Sequence, residues 1–202
     1  PASALWHEGW YHYARHLPSP NFGPRPAGMG VELVVIHSIS LPPGQYGGGY
    51  VQQFFQNQLD WHAHPYFQTI EGQAVSSHFF IERTGALWQF VSCDARAWHA
   101  GKSIYHARDN QSRENCNDFS VGIELEGVPG QTFTDAQYES LSSINAALSG
   151  IYPIENFVGH EDIAPGRKGD PGPGFEWRAL SLGLGWPSRC FPEILRSPKT
   201  PS

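Results

Sequence analysis

Hydrophobic positions along this 202-residue chain change their period several times, and each change marks an element. Residues 31–36, VELVVI, are an almost continuous apolar run rich in β-branched side chains, the pattern of a strand covered on both faces. His37 ends the run, so a polar ring is held at the end of a rigid element and projects towards the loops. Residues 75–82 alternate in part between apolar and polar; Arg83-Thr84-Gly85 then reads as a turn before 86–91, which predicts a β-hairpin. Alternation is cleaner in 119–126, FSVGIELE, where Val121, Ile123 and Leu125 share one face and Gly122, Glu124 and Glu126 the other. The period then lengthens. Tyr138, Leu141, Ile144, Ala147 and Leu148 recur at helical spacing, Thr134 and Gln137 form a capping box ahead of them, and Gly150 follows as a stop. Shorter helices are expected at 50–57, with Val51, Phe54 and Phe55 inward, and at 175–182.

The connecting stretches are long. Residues 1–30 read as an irregular, aromatic and proline-rich strap; 60–66 as a loop whose imidazoles are hydrogen-bonded; 102–118 as an exposed charged loop; and the chain from Trp186 as a proline-rich tail. Residues 159–174, GHEDIAPGRKGDPGPG, carry five glycines and three prolines, which precludes a regular helix or strand across the stretch. Loops of this kind, placed by a rigid scaffold, are where catalytic groups concentrate.

The length suits one domain covering residues 1–202. A net charge of −6 with 13 basic residues and no basic run gives no footprint for nucleic acid or an anionic membrane. No apolar run approaches the roughly 18 residues needed to span a bilayer, and the start lacks the charged-then-apolar order of a secretory signal. Three widely spaced cysteines, Cys93, Cys116 and Cys190, suit reduced thiols in the cytoplasm. A cytoplasmic monomer is expected.

Chemistry concentrates in the loop at 159–174. His160 and Asp170, ten residues apart on flexible backbone, can fold onto one zinc ion with His37 as the third ligand, leaving a fourth position open. Asp162 and Glu161 compete for the carboxylate role, since both lie nearer His160. Two neutral ligands and one anion leave positive charge on the metal, which polarises a carbonyl and acidifies water. Amide hydrolysis also needs a base and a cation facing the oxyanion; Glu124 and Lys168 are the candidates. Trp98, beside His99, is a core residue or a cleft wall.

The blocks VVIHSISLPPGQYGG, SSHFFIERTG, RAWHAGKS, CNDFSVGIELEG, FTDAQY and GHEDIAPGRKGDPGP occur in one order between Glu8 and about Trp177. In these the chain resembles the AmpD-type N-acetylmuramoyl-L-alanine amidases, within the zinc amidases related to peptidoglycan recognition proteins. The resemblance implies an α/β fold with a central mixed sheet flanked by helices, and a zinc cleft on one side. It implies one zinc ion per chain on His37, His160 and Asp170, with Glu124 and Lys168 as the catalytic pair. The implied activity is cleavage of the lactyl-L-alanine amide of 1,6-anhydro-N-acetylmuramoyl peptides in cytoplasmic cell-wall recycling, with an indirect influence on β-lactamase induction. Ser38 and Asn115 stand where the family carries other substrate-contacting residues, Asn and Arg; Ala74 likewise replaces an Arg. With Trp98, Ser38 and Asn115 are the expected substrate contacts, and Arg113 or Arg167 the candidate to restore the missing cation. Two rival readings are a non-catalytic peptidoglycan-binding module and a glycosidase using Glu124 and Glu126, about 7 Å apart on one strand face.

Overall fold

A six-stranded sheet carries the molecule, and its strands in chain order are β1 (Arg15–His16), β2 (Leu33–Ile39), β3 (Phe79–Ile81), β4 (Leu87–Gln89), β5 (Ser120–Glu126) and β6 (Asn156–Gly159). The computed structural model describes residues 2–107 and 111–192. Across the sheet the order is β6-β2-β5-β3-β4-β1. The first four of these run parallel, β3 and β4 form the antiparallel hairpin expected from the sequence, and β1 joins β4 in parallel. The sheet is therefore mixed, as the resemblance implied. With β2 and β5 at its centre, both strands are covered on each face, which is why β2 reads as a continuous apolar run.

Among the described residues five α-helices surround the sheet: α1 (Tyr50–Phe55), α2 (Pro65–Gln68), α3 (Asp135–Ser149), α4 (His160–Ile163) and α5 (Trp177–Leu184). On one face Val34, Ile36, Val121, Ile123 and Leu125 pack against Leu141, Ile144 and Leu148 of α3 and Leu180 of α5. The alternate residues of the same strands, Leu33, Val35 and His37 on β2 and Ser120, Gly122, Glu124 and Glu126 on β5, point to the opposite face. That opposite face holds the candidate site residues His37 and Glu124.

Helix α3 follows its sequence signals closely: Thr134 accepts from the Gln137 N–H, the Gln137 side chain accepts from the Thr134 N–H, and Gly150 ends the helix. Five expectations need correction. β2 runs two residues beyond His37, because its pairing with β5 continues to Ile39 and Glu126. The glycine-rich loop opens with a helical turn, α4, whose first residue is His160. The N-terminal strap is more ordered than its composition suggests: Trp6–His7 pairs with Trp10–Tyr11, Phe22–Pro24 pairs with Ala95–Ala97, and β1 extends the main sheet. Within 102–118, Ile104–His106 and Ser112–Glu114 form an antiparallel hairpin. The last helix starts two residues later than expected and ends at Gly185, which adopts φ 66°. After it Trp186 and Phe191 pack on Phe157, while the rest of the tail, 193–202, lies outside the described residues.

Candidate metal centre and active-site cleft

β6 lies beside β2 with Gly159 opposite Ile36, so α4 starts next to His37, and the following loop brings Asp170 back to the same point. His37 Nδ1 is 3.0 Å from His160 Nδ1 and 3.1 Å from Asp170 Oδ2, and His160 Nδ1 is 3.3 Å from that oxygen. Three donor atoms with zinc at ordinary bond lengths of ~2.0–2.1 Å in tetrahedral arrangement lie about 3.3 Å apart. The observed triangle matches those edges. Both imidazoles are buried, and burial with the neighbouring His160 lowers the His37 pKa to about 4, which keeps its ring neutral with a lone pair to offer. Among the described residues, these three form the group of His, Cys, Asp and Glu able to hold a metal ion. Asp162 lies outside this triangle: its Oδ2 accepts from the Gly159 N–H at 2.6 Å and so caps α4.

Glu124 is the residue of β5 in register with His37, and its Oε1 lies 3.9 Å from His37 Nδ1. Its other oxygen, Oε2, is buried with no hydrogen-bond partner. Burial first, and then the charge of Asp170, raise the Glu124 pKa well above the carboxylate range, while the Lys168 cation pulls it back. A carboxylate in that position is a strong proton acceptor beside the candidate metal ligands. Glu126, two residues on, has another job: one oxygen accepts from the Gly47 N–H at 2.6 Å and the other from the Arg83 N–H at 3.0 Å. It ties two loops to β5 and does not line the cleft, so no glycosidase pair is formed.

The cleft has a volume of ≈ 390 Å³. His37, Glu124, His160, Lys168 and Asp170 gather at one part of it; Leu41, Phe54, Ile70, Val75 and Trp98 give it apolar walls. Trp98 is 37% exposed and stands as a wall, and Ser38 lines the cleft with an unpartnered, buried hydroxyl. Asn115 and Arg167 are not among the lining residues. Asn115 sits in a left-handed turn at φ 56°, where its N–H donates to the Ser103 carbonyl. Arg167 donates to the carbonyls of Ala100 and Lys102, both at 2.7 Å. Arg113 pairs with Glu32 and stacks on Phe119, so neither arginine supplies a cation to the cleft. His99, which the sequence pairs with Trp98 as a possible cleft lining, does line the cleft, and its Nδ1 lies 2.9 Å from His37 Nε2. The alternation of Ser120, Gly122 and Glu124 along β5 was the sequence signal for its pocket.

The family model of N-acetylmuramoyl-L-alanine amidases matches residues 27–173. The 1,6-anhydro-N-acetylmuramyl-L-alanine amidase AmpD of Enterobacter cloacae is 49% identical over 175 residues, covering 86% of this chain and 91% of that protein. A crystal structure of a selenomethionine AmpD derivative superposes with a TM-score of 0.85 at 47% identity, over 89% of this chain and 99% of that one. The Escherichia coli amidase AmiD, solved with the substrate anhydro-N-acetylmuramic acid-L-Ala-D-γ-Glu-L-Lys, gives a TM-score of 0.55 at 29% identity, over 79% of this chain and 60% of that one. The resemblance read from the sequence blocks and the convergence of His37, His160 and Asp170 on one point have the same origin: this chain belongs to the N-acetylmuramoyl-L-alanine amidase family.

Proposed function

We propose that the protein is a zinc amidase that hydrolyses the bond between the lactyl group of a 1,6-anhydro-N-acetylmuramoyl peptide and its L-alanine. The observation that carries this reading is the convergence of Nδ1 of His37, Nδ1 of His160 and Oδ2 of Asp170 within 3.0–3.3 Å, with the buried Glu124 carboxylate 3.9 Å from the first of them. Zinc held there supplies a Lewis acid that polarises the amide carbonyl and makes water acidic.

Glu124 then does the proton work. Its unpartnered Oε2 takes a proton from the attacking water and returns it to the amide nitrogen as the C–N bond breaks, so the amine leaves neutral. The Lys168 ammonium at the cleft wall faces the negative charge that develops on the carbonyl oxygen. Trp98 and the apolar wall bind the sugar and the aliphatic stem, and Ser38 offers a hydroxyl to a polar group of the substrate. All five chemical residues belong to one chain, so a monomer suffices. The proposed place of action is the cytoplasm, in keeping with three unpaired cysteines, two of them buried. Among the described residues no helix is long and apolar enough to cross a membrane.

The test is release of the stem peptide from an anhydromuramoyl peptide by the purified protein as isolated, after chelation, and after zinc is restored. Activity lost with the metal and regained with zinc is the expected result. Tight binding of the muropeptide without cleavage in any metal state would overturn the enzyme reading in favour of a binding module.

A further inference from the structure

The metal ligands and the catalytic pair leave one buried chain of polar groups without an assigned purpose. His37 turns Nδ1 towards His160 and Asp170, and its other ring nitrogen lies 2.9 Å from His99 Nδ1. On the far side of that ring, His99 Nε2 is 3.1 Å from Ser120 Oγ, and Ser120 Oγ donates to the Cys116 carbonyl at 2.6 Å. His37, His99 and Ser120 are all less than a tenth exposed.

Proton counting gives the chain a direction. A carbonyl only accepts and a hydroxyl has one proton, so the Ser120 proton is committed to Cys116. Towards His99, therefore, Ser120 accepts, which puts the His99 proton on Nε2. With that proton on Nε2, the other ring nitrogen, Nδ1, carries the lone pair and accepts from His37 Nε2–H. The remaining lone pair of His37 is then on Nδ1, the atom facing His160 and Asp170. We propose that His99, anchored by Ser120, is a positioning residue that fixes His37 as the Nε2–H tautomer and so presents its Nδ1 lone pair to the metal. The inference rests on reading His37, His160 and Asp170 as a metal site.

Two further features support the assignment. Gly122 lies between Ser120 and Glu124 on the same face of β5, and a Cβ there would sit 2.5 Å from His99 Cγ. The strand therefore provides an anchor, an empty space for the ring and the catalytic carboxylate at successive alternate positions. The backbone of the same segment is clamped as well, because Asn117 Oδ1 accepts from the N–H groups of His99 (3.2 Å) and Ala100 (2.8 Å). Ala100 in turn accepts at its carbonyl from His160 Nε2 at 3.0 Å, which leaves Nδ1 of that ligand free too. One dipeptide thus orients both imidazoles, the first through a side chain and the second through a carbonyl. Although His99 borders the cleft, both of its ring nitrogens are engaged, so it acts through His37 and not on the substrate.

The tautomer is read directly from 15N chemical shifts of histidine-labelled, metal-free protein, with a His37→Gln spectrum for assignment. Zinc affinity is measured separately by chelator competition for the wild type, His99→Leu, His99→Asn and Ser120→Ala. His37 is expected to carry its proton on Nε2. Loss of a partner of this kind weakens metal binding about 10–100-fold, so His99→Leu falls in that range. His99→Asn, whose amide oxygen can accept in place of Nδ1, recovers most of the loss, and Ser120→Ala shows a smaller one. A purely structural role would instead lower the metal-free melting temperature with no advantage of Asn over Leu in zinc affinity, and that result overturns the proposal. So does a His37 proton on Nδ1 in the wild type. Should His99→Leu fail to fold, the wild-type spectrum and Ser120→Ala still decide. A wild type with no zinc affinity overturns the metal reading itself, while the spectrum continues to report on the hydrogen-bond chain.

Discussion

Adding one methyl group at Gly122 tests how tightly this site is built without touching a proposed ligand or the proposed catalytic carboxylate. In Gly122→Ala the new Cβ would lie 2.5 Å from His99 Cγ, 2.7 Å from Nδ1 and 2.8 Å from Cδ2. Ordinary carbon contacts are ~3.5–4.0 Å, so the ring must retreat by about 1 Å. Retreat from β5 stretches the bond to Ser120, now 3.1 Å, past the ~3.2 Å limit of a good hydrogen bond. The backbone itself adds no strain, since Gly122 has an ordinary strand φ within β5. Overpacking costs ~1–3 kcal/mol and a buried polar group left unpaired another ~1–3, against ~0.4–1 recovered from the stiffer unfolded chain. The expected net loss is on the order of 3 kcal/mol, measured by urea unfolding of chelated protein, together with weaker zinc binding by competition titration. A loss below about 0.5 kcal/mol with unchanged zinc affinity would show that the His99 pocket is not close-packed, and the argument from Gly122 would fail.

Glu124→Gln keeps the shape and removes the base; turnover is expected to fall about 10²–10⁴-fold with zinc content unchanged, and wild-type turnover would remove Glu124 from the mechanism. Asp170→Ala should lose bound zinc by metal analysis, whereas Asp162→Ala should retain it and lose only about 1 kcal/mol of helix capping; the reverse pattern would exchange their roles. Stability of the metal-free protein should fall in mild acid because of His78, whose pKa is lowered from 6.5 to about 3 by burial and then by the Arg25 charge. Its folded pKa lies below its unfolded one, so the contribution is full above about pH 6.5 and is lost as the pH falls towards 3. Between pH 7.5 and 5 that amounts to about 2 kcal/mol, and a His78→Gln variant should lose about that much less over the same interval in urea titrations. An identical pH slope in the two proteins would show that His78 takes up no proton there.

Periodicity made the scaffold legible. The runs in β2 and β5 and the helical spacing of α3 are local patterns, written by which side of each element meets the core, and the structure follows them to within a few residues. The order of the sequence blocks identified the family, and the glycine and proline content of 159–174 marked the irregular backbone that brings His160 and Asp170 together. The same local reading missed the short strands of the N-terminal strap, because two- and three-residue strands have no period to detect and exist only through their partners.

Choices between chemically equal residues required the tertiary structure. Asp162 and Asp170 are both aspartates close to His160, but the Gly159 N–H at the start of α4 claims the first and leaves the second for the metal point. Glu124 and Glu126 share a strand face, and only the position of Gly47 and Arg83 makes one a clasp and the other a free carboxylate. Arg167 stands next to Lys168, yet it is drawn away by the carbonyls of Ala100 and Lys102. In each case the residue type sets what a side chain can do, and the donors and acceptors brought within about 3 Å of it by distant parts of the chain decide what it does.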